Sequence, residues 1–252
     1  ELTYFEGTVW YKKQFNYSLE KGKRLFLYFG AVNYLADVYL NGEKIGSHEG
    51  GFTPFQFEIT DKVKNGTNSI VVKVDNNRQG NGLPGYSYDW LNYGGITREV
   101  IIIETNDTYI SDYSIQLKKG SLETVLGWIQ LNGIQTEQNI TLKIPELNIS
   151  FQTKSDESGI AFFEFSSNFE LWSPEKPKLY NVTIESETDS INDIIGFRCI
   201  EVQGNRILLN KKPVFLKGVN IHEENPYSGT RAYSVEDAQI LLNAAKELGC
   251  NL

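Results

Sequence analysis

The sequence has few residues that bind metals or form disulfides. Of its 252 residues only two are cysteine (Cys199 and Cys250) and only two are histidine (His48 and His222), and methionine is absent. These residues are too scattered to give zinc-ligand spacing or a disulfide framework. A glycine-rich run at residues 80–85 has the letters of a dinucleotide-binding motif, but no strand pattern directly precedes it and no helix pattern follows. The sequence therefore predicts no metal and no cofactor.

The sequence also lacks a basic excess and a long apolar run. Its 24 Lys and Arg residues face 32 Asp and Glu residues, which gives a net charge of -8. This sign disfavours nucleic acid and anionic membranes as partners. No apolar run approaches the roughly 20 residues of a membrane span and no signal-peptide pattern opens the chain, so the compartment stays open. In contrast, 40% hydrophobic residues, including 14 Phe, exclude disorder and predict a packed core.

Apolar and polar residues alternate with period two over most of the first 197 residues, which is the pattern of half-buried strands. Residues 36–40 alternate in this way, and Asn41-Gly42 then supplies the two positive-φ positions of a tight hairpin. A polar stretch divides the strands into two blocks. The pattern predicts a mostly β protein, with one β-sandwich in residues 1–105 and a second, immunoglobulin-like one in residues 106–197.

Residues 198–252 differ from the two blocks before them. An apolar strand is predicted at residues 214–219 and a helix at residues 235–248, where apolar residues recur at helical spacing. Ser234 and Gly249 are typical of an N-cap and a C-cap. A strand, a helix and the beginning of another strand predict the first unit of a parallel β/α fold, whose helix face needs a cover. We expect that cover from further sequence of a longer polypeptide, from a second copy in a homo-oligomer, or from the second sandwich.

Two polar loops carry candidate binding residues. In residues 86–95 four aromatic side chains, one of them Trp90, surround Asp89. Aromatic faces cover the C–H patches of a sugar, and carboxylate oxygens bind its hydroxyls. The alternative is that the aromatic residues close the end of the sandwich and Asp89 caps backbone N–H groups. The second candidate is His222, which follows the predicted strand 214–219, where an α/β barrel would build its active site; the alternative is a solvated loop.

At these residues the sequence resembles glycoside hydrolase family 2, the β-galactosidase and β-glucuronidase group. The matching motifs follow the order of the family and lie at residues 7–11, 36–46, 48–55, 89–100, 172–180, 196–198 and 209–223. The first four are similar to the sugar-binding jelly roll of the family, the fifth to the end of its immunoglobulin-like domain, and the last two to the entry into its catalytic barrel. The resemblance therefore implies a jelly roll at 1–105, an immunoglobulin-like β-sandwich at 106–197, and the first β/α unit of a truncated (β/α)8 barrel at 198–252.

The resemblance also implies an activity. Family members of this group are retaining exo-β-glycosidases that hydrolyse terminal β-galactosides or β-glucuronides, and their two catalytic glutamates follow later in the barrel. The chain is then expected to hold no catalytic residue and to be inactive alone, with a carbohydrate as its partner. Asp89 is similar to the family aspartate that reaches toward the bound sugar, and His222 to the histidine that ends the first barrel strand. Many members have Arg where this chain has Ile221, so the identity of the sugar stays open.

Two other classes of protein fit the same residues. A carbohydrate-binding protein, lectin-like or adhesin-like, would use the two sandwiches without hydrolysis. An assembly module would bind no sugar and would dimerise through the apolar face of the helix at residues 235–248. Binding of simple sugars and sedimentation separate these alternatives.

Overall fold

The structure is a computed structural model and describes residues 5–18, 20–83, 85–86, 92–222, 224–229 and 231–252. These residues form two compact units, one ending at Asp107 and the other beginning at Thr108. Most of their regular structure is antiparallel β-sheet, which confirms the mostly β class predicted from the sequence. Within the described ranges, no helix has the length and apolar character that crossing a membrane requires.

The first unit is a β-sandwich. Its strands are β1 (Thr8–Tyr17), β2 (Lys23–Phe29), β3 (Val32–Asn33), β4 (Leu35–Leu40), β5 (Glu43–Glu49), β6 (Phe55–Glu58), β7 (Gly66–Asp75), β8 (Gly95–Ile96) and β9 (Val100–Asn106). They form a sheet in the order β1-β7-β4-β5, a sheet in the order β6-β2-β9, and the short pair β3-β8. Leu27 and Phe29 of the second sheet pack with Val38 and Val72 of the first, and all four are buried. Burial of each such side chain stabilises the fold by about 1.5–3 kcal/mol.

The hairpin between β4 and β5 has the predicted turn. Asn41 has φ 52° and Gly42 has φ 89°, and Leu40 pairs directly with Glu43. Both central residues are thus in the left-handed region, which matches the twist of the two strands. The Asn41 amide also donates to the Lys62 carbonyl at 3.1 Å. The prediction of a tight hairpin at this Asn-Gly pair is confirmed.

The second unit begins with another sandwich. Its strands are β10 (Tyr109–Leu117), β11 (Thr124–Asn132), β12 (Asn139–Ile144), β13 (Ile149–Lys154), β14 (Ile160–Ser166), β15 (Tyr180–Glu185) and β16 (Ser190–Ile195), with a 3-10 turn at Pro145–Leu147. One sheet has the order β10-β11-β14 and the other the order β13-β12-β15-β16. Val125 and Ile129 of the first sheet and Ile140 and Ile184 of the second are fully buried between them.

A small sheet and a helix follow the second sandwich. Strands β17 (Ile200–Gln203), β18 (Arg206–Leu209) and β19 (Lys212–Val214) pair in that order, and helix α1 spans Val235–Glu247. The prediction of a strand over residues 214–219 is wrong in its extent, because strand pairing ends at Val214. A strand requires a neighbouring strand with which its backbone forms hydrogen bonds, and β18 pairs with β19 only as far as Val214.

Residues beyond β19 nevertheless contact the chain that follows α1. The Lys217 carbonyl accepts hydrogen bonds from the backbone N–H groups of Asn251 (2.8 Å) and Leu252 (3.1 Å). The Asn251 side chain accepts from the Lys217 N–H at 2.7 Å and donates to the Phe215 carbonyl at 3.0 Å. The chain therefore passes through a helix and returns beside the segment from which it left, as a β/α unit does.

The predicted helix and its caps are confirmed. The Ser234 hydroxyl accepts from the Asp237 N–H, and the Asp237 carboxylate accepts from the Ser234 N–H, so the two residues form a capping box. Gly249 follows the helix with φ 72°, the left-handed conformation of a C-cap glycine. None of the helix residues is buried, and Val235 and Leu242 are more than half exposed.

Candidate functional site

The candidate sugar-binding loop connects β7 to β8 at one end of the first sandwich. Asp89 and Trp90, the residues predicted to bind sugar, lie outside the described residues, so their roles stay predictions. The described parts of the loop are the two segments by which it leaves and rejoins the sandwich. Their contacts determine how the loop is held.

Three asparagines hold the two ends of this loop together. Asn33, at the end of β3, donates through Nδ2 to Asn92 Oδ1 (2.7 Å) and to the Tyr93 carbonyl (2.9 Å). Asn92 donates through its own Nδ2 to the Asn76 carbonyl at 3.0 Å. Asn33 and Asn76 are 4% and 5% exposed, so these hydrogen bonds are formed away from solvent. Because a buried amide is costly to leave unpaired, this cluster fixes residues 92–93 relative to residue 76.

Asn76 also fixes the beginning of β1. Its Oδ1 accepts from the Gly7 N–H at 2.8 Å, and its Nδ2 donates to the Phe5 carbonyl at 2.8 Å. One side chain thus binds the backbone entering β1, while its own carbonyl binds the far side of the loop. The asparagines join three separate segments of the first unit.

Two glycines allow the chain to pass close to this cluster. A Cβ on Gly94 would lie 2.1 Å from Asn76 Nδ2, and a Cβ on Gly95 would lie 2.3 Å from the Tyr11 hydroxyl. Gly95 also has φ 96°, which L side chains rarely adopt. The Gly-Gly pair of the sequence is therefore required by the packing of the loop end against β1 and Asn76.

Two cavities of the first unit are lined by described residues, and neither of them has the character of a sugar pocket. The cavity beside Asn76 and Gly94 has a volume of about 30 Å³, which is room for a water molecule and not for a sugar ring. A larger groove of about 560 Å³ lies between β1 and β9, but it is lined by core side chains such as Phe15, Phe29 and Val72. A sugar site also needs polar groups that orient hydroxyls. Neither of these two cavities combines the size of a sugar ring with such a polar lining.

Three rings, those of Phe29, Phe55 and His48, form a stack in the first unit. Phe29 stacks on Phe55 with ring centroids 4.9 Å apart, and Phe55 stacks on His48 at 4.1 Å. His48 Nε2 lies 3.1 Å from Thr53 Oγ1. Burial against these rings lowers the pKa of His48. The neutral imidazole is therefore the form that this packing favours.

His222 lies in the second unit, in the segment after β19, and its side chain is exposed. Among the described residues, no strand pairs with this segment at His222. Its role in sugar binding stays a prediction. Among the residues that the structure describes, no three of His, Cys, Asp and Glu come together as metal ligands would.

Sequence reasoning missed Asn33 and Asn76, although one of them had a signal. Positions 70, 72 and 74 of β7 point into the core, and period-two alternation places Asn76 on the same side. A polar residue that continues an inward-facing series at the end of a strand indicates a buried hydrogen-bonding role. Asn33 carried no such signal, because β3 is only two residues long.

Two family models match the chain in succession. The sugar binding domain of glycosyl hydrolases family 2 matches residues 2–106, and a second domain model of the same family matches residues 108–198.

Relatives with known names cover nearly the whole chain. A putative β-glucuronidase from Formosa agariphila is 30% identical over 98% of this chain, and a β-galactosidase from Thermoanaerobacter pseudethanolicus is 32% identical over 87%. The chain spans about a third of the length of these two relatives, 32% of each. In a solved structure, the β-glucuronidase of Bifidobacterium dentium complexed with coumarin-3-O-glucuronide, the similar region covers 99% of this chain and 48% of that one, with a TM-score of 0.85 and 25% identity. With both of its sandwiches matched in order, the chain belongs to glycosyl hydrolases family 2.

Proposed function

We propose that this chain is the non-catalytic N-terminal part of a retaining exo-β-glycosidase that acts on terminal β-galactosides or β-glucuronides. The observation that carries the proposal is the succession of two family domains in a chain that spans about a third of its named relatives. Those relatives are a putative β-glucuronidase and a β-galactosidase. Because both enzyme names occur among the relatives, we propose β-galactosides and β-glucuronides as alternative substrates.

We assign three segments to this function. Residues 1–105 form the jelly-roll sugar-binding domain, residues 106–197 the immunoglobulin-like sandwich, and residues 198–252 the beginning of the catalytic barrel. The hydrogen bonds that bring Asn251 and Leu252 beside Lys217 support the last assignment, since the chain returns after the helix to the segment from which it left, as a β/α unit requires. In a barrel, side chains that follow a strand at its carboxyl end face the substrate, and His222 follows the segment around Lys217 that meets the returning chain.

In this proposal the loop of the first sandwich contributes to the substrate pocket. Asp89 accepts hydrogen bonds from sugar hydroxyls, and Trp90 covers an apolar face of the ring. The asparagines Asn33, Asn76 and Asn92 hold the ends of the loop, which lowers the conformational freedom lost on binding.

Activity assays test this proposal directly. The 252-residue chain should show no turnover of chromogenic β-galactosides or β-glucuronides, because a retaining mechanism needs two carboxyl groups about 5–5.5 Å apart on either side of the bond. The longer polypeptide that the proposal requires should cleave one of the two, and Asp89→Ala should lower its activity while its unfolding midpoint stays unchanged.

Three results would contradict the proposal. Turnover by the 252-residue chain alone would show that it is itself catalytic. Unfolding of the Asp89→Ala variant would indicate that Asp89 caps the backbone and does not bind sugar. Binding of free galactose or glucuronate by the isolated chain, lost in Asp89→Ala, would indicate a lectin.

A further inference from the structure

The outer face of the sheet β1-β7-β4-β5 carries an unusual set of side chains. Residues that pair directly across antiparallel strands point to the same side, so the register defines two rows on this face. The first row is Trp10, Lys73, Asp37 and Ser47, and the second row is Lys12, Val71, Tyr39 and Lys44. These eight residues are called the outer platform below. With strands about 4.8 Å apart, each row extends about 14 Å across the four strands.

Two aromatic rings form the apolar part of the outer platform. Trp10 is 59% exposed, and its ring centroid lies 6.2 Å from that of Tyr39 at an interplanar angle of 32°. Both rings lie on the solvent-facing side of the sheet, and their planes are tilted by 32° relative to each other. Aromatic surfaces of this kind cover the C–H faces of sugars, and the polar rim of each ring stays hydrated. A tryptophan at a solvent-facing strand position has no role in the core of its own sandwich.

The polar groups beside these rings are held in fixed positions. Asp37 Oδ1 accepts from Lys44 Nζ at 2.7 Å and from Ser47 Oγ at 2.8 Å, and Lys73 Nζ lies 3.9 Å from Asp37 Oδ2. The hydrogen bond from Lys44, followed by that from Ser47, lowers the pKa of Asp37, so its carboxylate stays charged. The Lys44 and Lys73 side chains remain 49% and 38% exposed, which leaves N–H donors for a ligand.

The charge of the outer platform is opposite to that of the chain. Its two rows contain three lysines and one aspartate, whereas the whole chain has a net charge of -8. The next row toward the loop contains the acidic residues Asp75 and Glu49, which bound the basic area on that side. The surface thus combines an aromatic platform with a confined basic area.

We propose that the outer platform binds an acidic oligosaccharide, a chain of uronic acid residues, at a surface separate from the loop that carries Asp89. Sugar rings lie on Trp10 and Tyr39, and their carboxylates contact Lys12, Lys44 and Lys73. Such a surface would retain the protein on an acidic polysaccharide while another site acts on chain ends. Charge complementarity selects uronic acids over neutral sugars of the same size.

Affinity measurements on the 252-residue chain test this proposal. Calorimetry with hexagalacturonate should give saturable binding, and cellohexaose of equal length should bind about tenfold more weakly or not at all. Trp10→Ala should weaken hexagalacturonate binding by about tenfold, because it removes the more exposed and larger ring of the platform. Lys12→Glu should also weaken it and should reduce its dependence on salt between 50 and 300 mM.

A matched control comes from the second unit. Phe162 is 67% exposed on β14, and Phe162→Ala should leave hexagalacturonate binding unchanged. The proposal is overturned if hexagalacturonate does not bind, if Trp10→Ala and Lys12→Glu bind as tightly as the parent, or if cellohexaose binds equally well. It is also overturned if sedimentation shows a dimer that Trp10→Ala dissociates, because the face would then be an interface between copies.

Discussion

Replacing Asn33 tests the idea that buried amides hold the candidate sugar-binding loop. Asn33→Ala removes the two N–H donors that reach Asn92 Oδ1 and the Tyr93 carbonyl. Each acceptor left without a partner costs about 1–3 kcal/mol when it is shielded from water. Because Asn92 and Tyr93 are only half-buried, water recovers part of this loss, and we expect a decrease of about 2–4 kcal/mol in the free energy of unfolding of the first unit.

Urea denaturation measures this decrease. With a slope of about 1–2 kcal/mol/M, the midpoint of the first unit should fall by about 1–4 M. Asn33→Asp should be at least as destabilising, since Oδ1 of Asn33 has no donor among the described residues and a carboxylate would face two acceptors. Limited proteolysis should show faster cleavage within residues 77–92 in both variants, which reports on the loop itself.

Two comparisons separate this effect from a general loss of packing. Asn16 is an exposed asparagine on β1 whose Oδ1 accepts from Thr67 at 2.8 Å, and Asn16→Ala should cost no more than about 0.5 kcal/mol. In a double-mutant cycle, Asn33→Ala with Asn92→Ala should cost about 1 kcal/mol less than the sum of the two. If Asn33→Ala costs as little as Asn16→Ala, or if the cycle is additive, the asparagine cluster does not hold the loop.

Three further substitutions test other features of the structure. The packing that lowers the pKa of His48 makes the folded state bind a proton less readily than the unfolded chain, so stability should be highest above pH about 6.5 and should fall below it. The urea midpoints at pH 5 and pH 7.5 should therefore differ less in His48→Gln than in the parent, and an equal difference in both would contradict this. Lys211 has φ 66°, a strained conformation for a residue with a side chain. Lys211→Gly should raise the free energy of unfolding of the second unit by about 1 kcal/mol, less the small contribution of the exposed ion pair between Lys211 and Glu201. A decrease would show that the backbone at Lys211 is not strained. Gly127→Ala would place a Cβ 2.2 Å from both the Phe163 ring and the Ser114 carbonyl oxygen. It should lower the urea midpoint by an amount equal to about 2–3 kcal/mol, and an unchanged midpoint would contradict this close packing.

The features that were predicted correctly depend on neighbours in the sequence. The hairpin at Asn41-Gly42 requires two adjacent residues that tolerate positive φ, and the helix after Ser234 requires a cap and an apolar spacing within one segment. Each of these signals is complete within about fifteen residues. The mostly β class follows for the same reason, because period two can be read within a single strand.

The features that were missed depend on partners far away in the sequence. The apolar residues after Val214 have a strand-like pattern, but pairing requires a neighbouring strand, and β18 ends its ladder there. Asn33 and Asn92 are 59 positions apart in the sequence, and no local sequence pattern around either residue predicts their hydrogen bond. The register that aligns Trp10 with Lys73 and Asp37 likewise exists only once three strands have paired.

The interior of the first sandwich changes from apolar to amide side chains at its ends, and this change explains how a loop of irregular sequence can be positioned. Ile70, Val72 and Val74 fill the centre of β7, while the inward positions on either side of them are Asn68 and Asn76. Contacts between apolar side chains have little directional preference. An amide side chain, with two N–H donors and one carbonyl acceptor, forms hydrogen bonds only with partner groups at a defined distance and direction. The Asn68 side chain binds the backbone of Lys64 in the turn before β7, as the Asn76 side chain binds the backbone of Phe5 and Gly7 before β1. The hydrophobic core therefore determines the sandwich, and the buried asparagines determine where its loops begin and end.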